Sequence, residues 1–259
     1  MYLWADRWVQ RWVRLIQTLH EGFWLGWLDA EDLAAVTTRS YEQSRLYNGS
    51  THNQSGLFRW ERESLDRYFR PGSRILVAGC GGGRELIDLR QLGFHADGFD
   101  CTPSLVEKSR ALLEELGIPS SVMLSQPNDV PAELNAPGLN LYDSIIVGWT
   151  AYTHISSSVL RIAFLRKLRG LVPREAPMLI SFWTSEGTAA EKGRVARIAN
   201  WVRALRPSTM PLEEGDSVTQ RGYHHHFTEA EIEAELKAGG FRMCHYSQED
   251  YAHAVGIAE

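Results

Sequence analysis

Three glycines, Gly79, Gly81 and Gly83, fall where a short apolar run, RILVAG (74 to 79), gives way to a helical stretch reaching about Leu92. A glycine-rich turn between strand and helix lets the backbone approach a ligand closely and leaves the first helical N–H groups free to bond it. Asp100 ends a second β-type run, FHADGFD (94 to 100), about 20 residues after the turn, where a carboxylate can accept both ribose hydroxyl protons of an adenosine. Turn and carboxylate together suit a nucleoside. The dinucleotide fingerprint GxGxxG is not met, because Arg84 stands at its third glycine position, so NAD is the lesser reading.

Histidine supplies the second set of candidates. A hydroxyl that attacks an electrophilic carbon must lose its proton, and imidazole, with an ordinary pKa of about 6.5, suits that task. His154 lies in GWTAYTHI, just past a fourth apolar run, and His224, His225 and His226 are consecutive. His154 and His225 are the expected bases and His226 an expected substrate contact; the competing reading of each is a histidine that only packs or hydrogen-bonds. Neighbouring residues of the triplet point different ways, and its spacing matches neither HxxxH nor HExxH, so no metal is expected. Trp149, Tyr152 and Trp183 follow the fourth and fifth apolar runs. There they would form either an aromatic wall for a substrate or a seal over the core.

The elements that must position these residues alternate. After the first βαβ unit, Thr102 and Pro103 open a helix that Gly117 stops. SSVMLSQ reads as a third strand, then come a Pro- and Asn-rich loop (127 to 140), YDSIIVGW as a strand, VLRIAFLRKLRGL as a helix and APMLISFW as a strand. FTEAEIEAELKAGGF has Thr228 as N-cap and Glu231 at the capping-box position, and two strand-like runs follow, 241 to 247 and 251 to 258. This pattern predicts an α/β three-layer sandwich of Rossmann-like type, its seven-stranded, mostly parallel sheet closing in a C-terminal antiparallel hairpin. Residues 1 to 70 read as an N-terminal helical extension, residues 71 to 259 as the main domain. The segment 184 to 226 reads as a cap insertion holding a helix at about 189 to 205.

In these features the chain resembles the class I S-adenosylmethionine-dependent methyltransferases. The resemblance rests on Gly79-Cys80-Gly81-Gly82-Gly83 after the first strand, GFD ending at Asp100, Tyr142-Asp143 opening the fourth strand, LVPREAP before the fifth, and FTEAEIEAELKAGGF before the hairpin. It covers roughly residues 72 to 258 without the insertion. It implies S-adenosylmethionine as cofactor and S-adenosylhomocysteine as product, with Gly79, Cys80, Gly81, Gly83, Asp100, Cys101, Gly148 and Trp149 at the cofactor and Gln126 or Asn128 beside the adenine. Tyr152, Trp183 and His226 would meet the acceptor. The family's N-terminal helices commonly cover the cofactor, so residues 47 to 56 read either as a solvated loop, the reading preferred from the residues alone, or as the mobile part of such a lid with Tyr41, Tyr47 and Asn53 as contacts. The chain departs from the family at Val77, where many members carry an acidic residue toward the methionine amino group.

Composition limits the partners. A formal charge of -5 gives no broad cationic field for a nucleic-acid backbone. IIVGW also lacks the Asp/Asn-Pro-Pro-aromatic signature of base-methylating relatives, so the expected acceptor is a small molecule, methylated on oxygen or nitrogen. Cys80, Cys101 and Cys244 are three cysteines with no CxxC, read as free thiols of a cytoplasmic protein. No apolar stretch approaches the roughly 20 residues of a membrane span. The stripe Trp4, Trp8, Trp12, Leu15, Leu19 with Arg7, Arg11 and Arg14 is expected to be a lid or a homodimer contact in preference to an interfacial membrane helix. The rival functions are another nucleoside-cofactor chemistry, aminopropyl or hydride transfer, and a non-catalytic interaction protein.

Overall fold

The computed structural model describes residues 2–47, 49–134, 141–184, 189–205 and 211–259. Much of the predicted loop at 127 to 140, and part of the predicted insertion with Pro207, lie outside them. Seven strands form the main sheet: β1 (Arg74–Ala78), β2 (His95–Asp100), β3 (Val122–Leu124), β4 (Ser144–Val147), β5 (Pro177–Ser181), and a late pair that closes one edge. The strand order is β3-β2-β1-β4-β5 followed by the last strand and then its predecessor. The first five strands pair in parallel, and the last strand (His253–Ala258) runs antiparallel to β5 and to Phe241–Ser247.

Strand periodicity builds the three layers. On β1, Ile75 and Val77 join one core with Trp60, Leu86, Val106 and Ile146, while Leu76 and Ala78 join the other with Phe99, Ile145, Phe164 and Leu236. Helices α1 (Tyr2–Trp27), α2 (Ala30–Gln43), α3 (Ser50–Asn53) and α4 (Arg59–Tyr68) precede the sheet. The connections carry α5 (Arg84–Gln91), α6 (Pro103–Glu115) and α7 (Ser158–Arg169). Pro103 opens α6, whose cap residue Thr102 makes no side-chain capping bond.

The segment between β5 and the last helix contains more than the predicted helix and loop. It holds β6 (Trp183–Thr184), α8 (Ala189–Leu205), β7 (Asp216–Thr219) and β8 (Gly222–Phe227), before α9 (Glu229–Ala238), β9 (Phe241–Ser247) and β10 (His253–Ala258) complete the chain. Strands β6, β8 and β7 make a small second sheet. Its own core, Leu25, Leu33, Ala199, Val218 and Tyr223, joins α1, α2 and α8 to that sheet. The N-terminal extension and the insertion therefore fold together. α1 packs on α8: Gly22 and Gly26 let the helices approach so closely that an added Cβ would come within 2.7 Å of Ile198 and 2.5 Å of the Ala199 carbonyl. α2 packs on β8, and α3 lies against the glycine turn that follows β1.

Candidate functional site

Gly79, Gly81 and Gly83 take positive φ values of 77, 50 and 91°, a region open to glycine at no steric cost. Gly83 caps α5, so the turn runs straight into the helix's free N–H groups. Asp100, at the end of the neighbouring β2, accepts hydrogen bonds from the backbone N–H of Gly81 (2.9 Å) and of Thr102 (2.8 Å). Burial pushes its carboxyl up and these N–H groups oppose the shift.

Above this turn lies a cavity of about 1020 Å³, its open mouth included. Ala78 to Gly82 line one side; Asp100, Cys101, Thr102, Asn128 and Asp129 line another; Thr37, Tyr41, Tyr47, His52 and Asn53 form the roof; Glu85, Trp149, Ala151 and His154 complete the wall. Asn53, buried on α3, bonds the Tyr47 carbonyl (3.0 Å) and lies over Gly82, where an added Cβ would come within 2.4 Å of its side chain. Burial raises the Cys80 thiol well above its usual range and Cys101 to about 12, so both face the cavity as neutral thiols.

His154 occupies the short helical turn after β4. Its Nδ1 lies 2.7 Å from the Tyr223 carbonyl oxygen, which can only accept, so Nδ1 carries the hydrogen and Nε2 accepts from the Tyr41 hydroxyl at 2.8 Å. Burial lowers His154 to about 4 and raises Tyr41 well above the usual phenol range, so the pair is neutral near pH 7.

Several predicted site residues lie away from the cavity. Gly148 is packed on the Gly79 carbonyl, which an added Cβ would meet at 2.1 Å, so it sets how closely two strands approach. Gly83 backs onto Ser109, and Gln126 is exposed while the following residues line the wall. Tyr152 belongs to the core: it is 1% exposed, stacks on Phe227 and donates to Glu235 (2.6 Å). Strand alternation on β8 separates the histidines. His225 is sealed with Nδ1 on Asp216 (2.8 Å), whereas His224 and His226 share the face that packs on Trp183. Trp183 adjoins His154, ring centres 6.0 Å apart, without lining the cavity. His226 is bonded through Nδ1 to the Thr184 carbonyl.

The residues that sequence reasoning missed form a buried charge cluster beside the turn. Arg84 donates to both oxygens of Glu61 (2.7 Å each), to Glu85 (2.7 Å) and to the Gly56 carbonyl (2.9 Å). Glu85 also accepts from the Trp149 N–H at 3.3 Å. Two carboxylates on one guanidinium leave net negative charge at the cavity wall. The signal was Arg84-Glu85 directly after the glycines; the third member, Glu61, is remote in sequence. Another group, the half-buried Glu213 with the buried Asp216 and His225, has metal-binding proximity, yet Arg161, Ser158 and Tyr223 already occupy its carboxylates.

The sheet order and the site at the end of β1 define the fold of the class I S-adenosylmethionine-dependent methyltransferases. An S-adenosylmethionine-dependent methyltransferase from Aquifex aeolicus is similar over 86% of this chain and 98% of its own, with TM-score 0.57 and 18% identity. The Burkholderia thailandensis 1,6-didemethyltoxoflavin-N1-methyltransferase, solved with bound 1,6-didemethyltoxoflavin and S-adenosylhomocysteine, matches over 89% and 90%, with TM-score 0.59 and 15% identity. An amino pentose methyltransferase from Micromonospora echinaspora, solved with S-adenosylmethionine, matches over 83% and 98%, with TM-score 0.57 and 14% identity. No family model matches the sequence, and no curated protein matches it.

The buried histidines give the protein an acid liability of defined sign. His154 is lowered to about 4 and His224 to about 3, both by burial, so below their ordinary value of about 6.5 the unfolded chain binds protons that the native state refuses. Stability must then fall as the pH drops from 6.5 toward 4. His225 has the opposite sign: burial opposes its charge, but Asp216 and Glu231 prevail and raise it, so its contribution is complete below 6.5 and lost only on the alkaline side. The urea midpoint is expected to be lower at pH 4.5 than at pH 6.5, with a smaller difference in His154→Gln; an equal difference in that variant would contradict the assignment.

Proposed function

We propose that the protein transfers a methyl group from S-adenosylmethionine to an oxygen or nitrogen of a small, planar, uncharged acceptor. The observation that carries this reading is the buried Asp100 carboxylate bonded to the Gly81 turn and opening on the roofed cavity. Asp100 would hold the ribose hydroxyls, the Gly79 to Gly82 turn would pass along the nucleoside, and Asn128 would lie on its adenine side. Glu85 takes the role of the acid missing at Val77. Val77 is fully buried in the apolar layer under α5, whereas Glu85 lines the cavity within a cluster of net negative charge fit for an ammonium group. The cofactor supplies a sulfonium-activated methyl group, and the protein must orient a nucleophile and exclude water.

Tyr41 and His154 do the orienting. Their neutrality adds no cation to oppose a sulfonium, and His154 Nε2, fixed by Tyr223, is the one lone pair of that imidazole available to a proton from the acceptor or from Tyr41. Tyr47, His52 and Trp149 offer aromatic faces to a planar acceptor.

The test is transfer of labelled methyl groups to uncharged aromatic N–H and O–H acceptors, in the wild type and in Glu85→Gln. Labelled product is expected, and Glu85→Gln should raise the KM for S-adenosylmethionine about tenfold, the loss of one charged hydrogen bond. Inhibition by 5′-methylthioadenosine, which lacks the amino and carboxylate groups of the methionine portion, should be unchanged. Equal weakening of both ligands would remove Glu85 from this role, and absence of labelled product across the panel would contradict the transfer reading.

A further inference from the structure

Six of the nine tryptophans lie away from the cavity on one surface. Trp4, Trp8, Trp12, Trp24 and Trp27 of α1 and Trp201 of α8 are between 37 and 69% exposed, and Leu15, Ile16, Leu19 and Phe23 are exposed with them. At about 100° per residue these α1 positions cover close to half the helix circumference, far wider than the two-in-seven seam of a coiled coil. Residues 3 to 13 of α1 are all exposed, whereas its last turns are fixed to α8 through Gly22 and Gly26. This close packing sets Trp201 beside Ile16, Leu19, Phe23 and Trp24 as one two-helix surface.

The charges around this surface differ from those of the whole. On a chain of net charge -5, the polar side of α1 carries exposed Arg7, Arg11 and Arg14 against Asp6 and Glu21, and α8 adds exposed Arg194 and Arg197. The ion pairs among the described residues include none of Arg7, Arg11, Arg14 and Arg197. A second copy docked antiparallel about the middle of this border would set Arg7 against Arg14 and Arg11 against Arg11. An anionic surface would neutralise them.

Tryptophan with leucine on one face and arginine at its border is the pattern of a helix lying in a lipid interface, where the indole ring is apolar and its N–H remains wet. No helix among the described residues is long and apolar enough to cross a membrane. We propose that the α1–α8 face docks on an anionic lipid surface, with α1 in the plane of the headgroups. This proposal stands independently of the methyl-transfer reading.

The experiment is co-sedimentation of the full chain with vesicles of phosphatidylcholine alone and of phosphatidylcholine containing about a quarter phosphatidylglycerol. Binding to the anionic vesicles is expected, weakened by salt. It should fall at least about tenfold in Trp8→Glu/Trp12→Glu and in Arg7→Glu/Arg11→Glu/Arg14→Glu, given about fivefold per arginine near such a surface. All five positions are exposed, so both variants should keep the wild-type melting temperature, which is the folding control. Absence of binding to anionic vesicles, or equal binding by the variants, would overturn the proposal. A dimer seen by light scattering that Trp8→Glu/Trp12→Glu dissociates, without vesicle binding, would assign the face to a second copy.

Discussion

Replacing Arg161 by Met is expected to cost about 3–5 kcal/mol of stability, the scale for breaking a buried ion pair by removing one partner. Arg161 is 1% exposed and extends from α7 to both oxygens of Glu235 on α9 (3.0 Å from Nε to each, 2.7 Å from Nη2) and to Glu213 before β7 (2.7 Å). It thus ties the main domain to the small sheet that supplies the Tyr223 carbonyl to His154. Without it, Glu235, which also accepts from Tyr152, and the half-buried Glu213 lose their counter-charge while remaining out of water. The melting temperature should fall by roughly 10 °C for a chain of this size. Arg161→Met/Glu235→Leu should recover part of the loss, because it removes one stranded charge as well as its partner. A melting temperature within a degree or two of wild type in Arg161→Met would show that the carboxylates find other partners.

Asp100→Ala is expected to weaken S-adenosylhomocysteine binding by two orders of magnitude or more. Two hydrogen bonds from a carboxylate to a ribose are worth about 1.5–3 kcal/mol each, and their loss would be compounded by release of the Gly81 and Thr102 N–H groups that the same side chain holds. Asp100→Asn keeps one acceptor and should fall between the two. Thermal-shift titration reads both variants. Equal affinity in Asp100→Ala and wild type would move the ribose away from β2.

The glycine turn, Asp100 and the alternation of the main sheet were legible because each depends on neighbours in sequence: a strand, a turn needing positive φ, and a helix start. The small second sheet was hidden. GYHHHF reads as polar by residue type, yet β8 buries Tyr223, His224 and His225 by pairing with the four-residue β7 and the two-residue β6, which carry little pattern of their own. Pairing of this kind also decides which histidine faces what, and it placed His225 in the core and His154 at the cavity.

The same long-range dependence misplaced other residues. Tyr152 has the right type and position for a substrate wall, but Glu235, distant in the chain, captures its hydroxyl. The Trp stripe reads as a lid or a dimer contact from its apolar face; the close helix contact at Gly22 and Gly26 carries it to α8, and it is α2 with α3 that forms the roof. Arg84 marked the absence of a dinucleotide fingerprint, while its positive role, drawing Glu61 and Glu85 together beneath the turn, required the tertiary contact with α4.

The central claim is that the cavity over Gly79 to Gly82 binds a sulfonium nucleoside through Asp100. Calorimetric titration of the wild-type protein with S-adenosylmethionine, S-adenosylhomocysteine and NAD tests it most directly. Binding of both sulfur nucleosides with dissociation constants on the order of micromolar, and none of NAD, is the predicted result. Binding of NAD alone, or of none of the three, would contradict it.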